Sequence, residues 1–84
     1  MDRALWEKHL ALAEQHIALG ERNVAKQVEV LAELERDGHP TAMAARILAA
    51  YKEVLALHVH DRDRIASDLA NALPTPFARS RDTE

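Results

Sequence analysis

The sequence predicts an all-α protein in which two long helices fold back on each other as an antiparallel hairpin. One clear break, Asp37–Thr41, divides a long run of helix-forming residues, and apolar residues recur at three- and four-residue spacing on both sides of it. A glycine just past the end of one helix, followed by a proline at the start of the next, is typical of such a break. We therefore assign residues 1–72 to one helical hairpin.

Helix one is predicted to run from about residue 2 to residue 37, with Asp2 as its N-terminal cap. Its apolar residues alternate in steps of four and three, which keeps them on one side of the helix and favours coiled-coil packing. The predicted core positions of helix one are Trp6, Leu10, Ala13, Ile17, Gly20, Val24, Gln27, Leu31 and Leu34. Gln27 is polar, and a polar residue at such a position can set the register of packed helices.

Helix two is predicted to run from about residue 40 to residue 72, after a turn at residues 38–40. Either His39 caps it, with Pro40 as the first helical residue, or Thr41 caps it, and the sequence allows both. The predicted core positions of helix two are Ala44, Leu48, Tyr51, Leu55, His58, Arg62, Ile65 and Leu69. Residues 73–84 contain two closely spaced prolines and then turn polar, which predicts a flexible C-terminal tail.

Each helix carries more apolar surface than a single hairpin can bury, and the two surpluses lie in different halves. Helix one has a leucine row far from the turn, which consists of Leu5, Leu12 and Leu19. Helix two has an apolar flank near the turn, which consists of Met43, Ile47, Ala50, Val54 and Leu57. In two hairpins that point in opposite directions, these surfaces would face each other. We therefore predict an antiparallel homodimer that forms a four-helix bundle, with both sets at the dimer interface.

Composition narrows the classes of function. A chain of 84 residues has little room for a core and commonly relies on oligomerisation. It contains no cysteine, which excludes disulfides and thiolate metal sites. A net charge of −3 argues against a nucleic-acid partner. No secretory signal or membrane-spanning stretch is recognisable, so we expect a cytoplasmic protein with no membrane partner and no cofactor.

Five histidines are the residues that most suggest a chemical role. Folding the hairpin about its turn places His58 beside Gly20, one helical turn from His16. The same folding places Asp61 opposite His16. His16, His58 and Asp61 are therefore candidates for a metal site, because imidazole and carboxylate groups bind zinc. No established metal-binding motif is present, so the simplest interpretation is polar bundle positions satisfied by their neighbours. A further alternative is that interfacial histidines make association sensitive to pH.

A third hypothesis concerns phosphoryl transfer. Histidine phosphotransfer proteins are helical bundles in which an exposed histidine is followed four residues later by glycine, and His16 and Gly20 show this spacing. The lysine that usually precedes the glycine is replaced by Leu19. No nucleophile–base pair, phosphate-binding loop or carboxylate pair is recognisable. We predict that the protein is not an enzyme, and that it is a homodimeric interaction, regulatory or structural module with a surface for another protein.

Between His16 and Ile65 the chain resembles a group of small, uncharacterised bacterial helical proteins. The matching segments are His16-Ile17, Gly20-Glu21-Arg22, Leu34-Glu35-Arg36-Asp37-Gly38-His39, Leu57-His58-Val59 and Asp61-Arg62-Asp63-Arg64. This resemblance implies a shared pattern that includes both glycines, but it brings no activity, cofactor or catalytic residue with it. Pro40 stands where the resemblance would place an acidic residue, which leaves the cap of helix two open.

Overall fold

The computed structural model of the chain describes residues 2–72, so the predicted tail at residues 73–84 lies outside the described part. Two α-helices make up the described structure: α1 (Arg3–Arg36) and α2 (Ala42–Ala72). The helices pack against each other, which confirms the predicted all-α hairpin. Neither helix contains a stretch long and apolar enough to cross a membrane, as far as the described residues extend.

The helix starts follow from local hydrogen bonding. Asp2 caps α1 as predicted, because its Oδ1 accepts a hydrogen bond from the backbone N–H of Ala4 at 3.0 Å. α2 begins at Ala42, so Thr41 occupies the position before the first helical residue. The carbonyl of Thr41 accepts the N–H of Ala45 at 2.9 Å, which closes the first turn of α2.

The turn ends α1 through two backbone hydrogen bonds. The N–H of His39 donates to the carbonyl of Leu34 at 2.9 Å. The N–H of Gly38 donates to the carbonyl of Glu35 at 3.2 Å. Gly38 has a φ of 74°, in the left-handed region that a side chain disfavours. This pair of bonds around a left-handed glycine is the Schellman motif, which satisfies carbonyls that a helix end otherwise leaves unpaired.

The core between the helices is thin. Among the described residues, the buried apolar side chains are Ala13, Ile17, Ala44 and Ile65. All of these are predicted core positions, and most of the remaining core positions are half-buried. Tyr51 departs from this pattern, since it is 38 % exposed. Two packed helices therefore bury one narrow strip and leave the flanks of that strip in water.

Candidate functional site: an apolar face and its groove

Most of the exposed large apolar side chains belong to the two sets predicted at the dimer interface. Nine such side chains in the described residues are exposed, and seven of them belong to the leucine row or the apolar flank of helix two. These seven are Leu5, Leu12, Leu19, Met43, Ile47, Val54 and Leu57. Ala50, which completes the predicted set, is exposed as well. The hairpin by itself leaves the whole predicted interface in water.

A shallow groove joins the side of α1 that carries the leucine row to one side of α2. The groove is lined from both helices by His9, Leu12, Ala13, His16, Asp61 and Ile65. Leu12 belongs to the leucine row, so that row borders the groove. Ile47 and Val54 precede Asp61 by fourteen and seven residues, and residues seven apart lie nearly above one another on a helix. The apolar flank therefore continues the same side of α2 toward the turn. We call the two sets together the apolar face.

Two histidines meet across the hairpin, and one of them, His16, lines this groove. The ring of His16 on α1 lies 5.1 Å from the ring of His58 on α2, measured between ring centroids, and the ring planes are tilted by 48°. His16 is exposed and His58 is half-buried. His9 stands one heptad before His16, and its ring lies 6.0 Å from the ring of Trp6 on the same helix. The structure thus brings together two of the histidines that the sequence singled out.

The prediction that His58 lies beside Gly20 was wrong. The three atoms nearest to a Cβ added at Gly20 all belong to Leu55, the first at 3.1 Å, and the ring of His58 lies against that of His16 instead. The prediction assumed symmetric folding about the turn, as if every residue advanced the chain equally. Residues 39–41 lie outside both helices. Non-helical backbone advances up to about 3.3 Å per residue, against about 1.5 Å in a helix. The chain therefore reaches the height of Gly20 a few residues earlier than predicted, at Leu55 and not at His58.

Gln27 and Gly20 of α1 both contact α2. Nε2 of Gln27 donates a hydrogen bond to the carbonyl oxygen of Ala44 at 3.1 Å, across the two helices. This bond fits the predicted role of Gln27 in setting the register. Gly20 has no side chain, and Leu55 packs against the space that one would occupy. Gly20 therefore packs against α2 within the hairpin. The phosphotransfer hypothesis relies on the spacing of His16 and Gly20, and this geometry lends it no support.

Asp61, the third predicted metal ligand, lines the same groove as His16. Its Oδ1 accepts a hydrogen bond from Nη2 of Arg64 at 2.7 Å, and both side chains are about half exposed. Within residues 2–72 no group of three or more histidine, aspartate or glutamate side chains is placed to hold a metal ion. What the structure provides is a contact between two imidazoles, one of which lines the groove that also contains the carboxylate of Asp61.

The groove itself did not emerge from the sequence. Ala13 and Ile65 are predicted core positions, and their role as groove walls depends on how the helices sit against each other. A signal was nevertheless present, because His9, His16 and Asp61 all flank core positions on the same side. In an antiparallel pair, such flanking positions of the two helices meet at one edge.

A scan against models of known protein families finds no match, and searches of curated proteins and of solved structures find none either. The resemblance to small bacterial helical proteins therefore stays a prediction. The apolar face and the groove are the features that bear on function.

Proposed function

We propose that the protein is a non-enzymatic interaction module that works as a homodimer, with the apolar face as the surface between the two copies. The observation that carries this proposal is the exposure of seven large apolar side chains that heptad spacing assigns to one face. Soluble proteins seldom leave an apolar surface of this kind without a partner. The small number of buried residues also gives a lone hairpin little to hold it together.

A second copy is the occupant that the spacing favours. Gly20 lies against Leu55. Their neighbours Leu19 and Leu57 therefore stand at nearly the same height along the hairpin. From this height the leucine row extends toward the open end, and the apolar flank extends toward the turn. The apolar face thus runs diagonally from α1 to α2 and has its midpoint beside Leu19.

The two arms of this diagonal have matching lengths. Leu5 lies fourteen residues from Leu19, and Met43 lies fourteen residues from Leu57. At a rise of about 1.5 Å per residue, each arm spans about 21 Å. Consider a two-fold axis that passes beside the midpoint, lies in the plane of the apolar face and is perpendicular to the diagonal. This axis would place the leucine row of each copy on the apolar flank of the other copy. The face is complementary to itself in this arrangement, as an isologous dimer requires, and the hairpins would point in opposite directions.

The dimer interface is tested by replacing two valines that are equally exposed but lie at different places on the hairpin. Val54 lies on the apolar face and Val28 lies outside it, and each is 47 % exposed. Light scattering should give the wild-type protein twice the mass of one chain. Val54→Glu should weaken the dimer about tenfold or more in Kd. Each copy loses the burial of the exposed half of one valine, about 0.75 kcal/mol, and a carboxylate in the interface adds a desolvation cost.

Val28→Glu is the control and should leave the mass unchanged, with circular dichroism to show that the variants remain helical. Leu12→Glu is an independent variant on the other arm of the face and should also dissociate the dimer. A wild-type protein that stays monomeric would overturn the proposal. Equal dissociation by Val28→Glu and Val54→Glu would overturn it as well, since the interface would then not be the apolar face.

A further inference from the structure

We propose that His16 and His58 form a two-imidazole site that binds a divalent transition metal, with zinc as the representative ion, and thereby links α1 to α2. Both ligands come from one chain, so the site needs no second copy. It rests on the cross-helix contact of the two rings and on the access of His16 to the groove. The metal would take two protein ligands, and water would complete its coordination.

The spacing of the rings matches such a site. In zinc–histidine sites the metal lies about 2.1 Å from the ligating nitrogen and so about 3.2 Å from the centre of the ring. When two such rings subtend a tetrahedral angle at the metal, their centres are about 5.2 Å apart. The ring centroids of His16 and His58 are 5.1 Å apart. The tilt of 48° between the ring planes is compatible with this geometry, because the angle at the metal does not fix the rotation of either ring.

The surroundings of the pair permit a cation to enter. His16 is exposed and lines the open groove, so water reaches the site. The carboxylate of Asp61 lies at the same groove, where it forms an ion pair with Arg64. Arg62 also lies close to His58 in the sequence, and its Nε donates to Oδ1 of Asp63 at 2.6 Å. Both arginines are thus paired with acidic neighbours.

Zinc bound to both helices should stabilise the folded hairpin, because an unfolded chain does not hold the two rings together. The experiment uses the full chain without a polyhistidine tag and follows thermal unfolding by circular dichroism at fixed protein concentration. A zinc concentration about ten times the Kd should raise Tm by roughly 5–10 °C. His16→Gln and His58→Gln should each abolish this zinc-induced shift, whatever their effect on Tm without zinc.

His9→Gln is the matched control, because His9 lines the same groove but pairs with Trp6 and not with a second histidine. It should keep the zinc-induced shift. Proton NMR of the wild-type protein gives a readout that needs no variant to fold. The ring resonances of His16 and His58 should respond to zinc together, and those of His9 should not.

Two results would overturn the site. One is a wild-type Tm that zinc leaves unchanged while the histidine ring resonances also stay in place. The other is a zinc-induced shift that survives His16→Gln, which would locate the binding elsewhere. Dissociation by Val54→Glu is measured without added metal, so failure of this site and failure of the dimer are separate outcomes.

Discussion

The two halves of the hairpin are held together by different interactions. We divide them where Gly20 lies against Leu55, into a turn half, which contains the connection, and an open half beyond that contact. The turn half contains the Schellman motif at Gly38 and the hydrogen bond of Gln27 across the helices. The open half contains most of the buried side chains, namely Ala13, Ile17 and Ile65.

This difference bears on how each half behaves. The bond of Gln27 to the carbonyl of Ala44 joins the two helices, and because hydrogen bonds are directional it favours one offset between them. Apolar packing is non-directional, so the open half depends on how well its side chains fill space. The groove and the His16–His58 contact lie in this open half. The proposed metal site would add a directional link to the half that relies on packing.

The largest effect on stability is expected in the open half. Ile17 is 8 % exposed, and Ile17→Ala should lower the free energy of unfolding by about 2–4 kcal/mol, because it removes buried methyl groups and leaves a cavity. Urea unfolding measures this loss. Val28→Ala, at an exposed position outside the apolar face, is the control and should cost about 0.5 kcal/mol or less. Similar losses for the two variants would mean that packing at Ile17 does not hold the open half.

A smaller effect is expected at the turn. Gly38→Ala should lower the free energy of unfolding by about 1–2 kcal/mol, because alanine is strained at a φ of 74°. Nothing lies within 4 Å of a Cβ added there, so the loss would come from the backbone alone. Gly38→Asn should lose less, since asparagine tolerates the left-handed region better. An alanine variant as stable as the wild-type protein in thermal unfolding would contradict the role given to the turn.

The smallest effect is expected for the hydrogen bond across the helices. Gln27→Ala should lower the free energy of unfolding by about 1 kcal/mol, which is typical of one hydrogen bond. Gln15→Ala, at an exposed glutamine in the open half of α1, should change it by less than about 0.5 kcal/mol. Chemical denaturation of both variants provides the comparison. Equal losses would mean that the hydrogen bond of Gln27 does not contribute to stability.

Much of the fold could be predicted because it depends on local chemistry. The alternation of four- and three-residue steps identified the side of each helix that faces the other, and the buried residues lie at those positions. Asp2 and Gly38 marked the two ends of α1 through capping, which involves only nearby backbone groups. The exposed apolar face was also readable, because its residues repeat at heptad spacing outside the core positions.

The contacts of the candidate site required the tertiary structure. The sequence named His16 and His58 but placed His58 against Gly20, because it could not supply the axial offset between the helices. That offset depends on how far the non-helical residues 39–41 carry the chain, and a shift of a few residues changes which side chains meet. Periodicity thus determined which sides of the helices meet. The geometry of the connection decided that the two histidines touch and that Leu55 packs on Gly20.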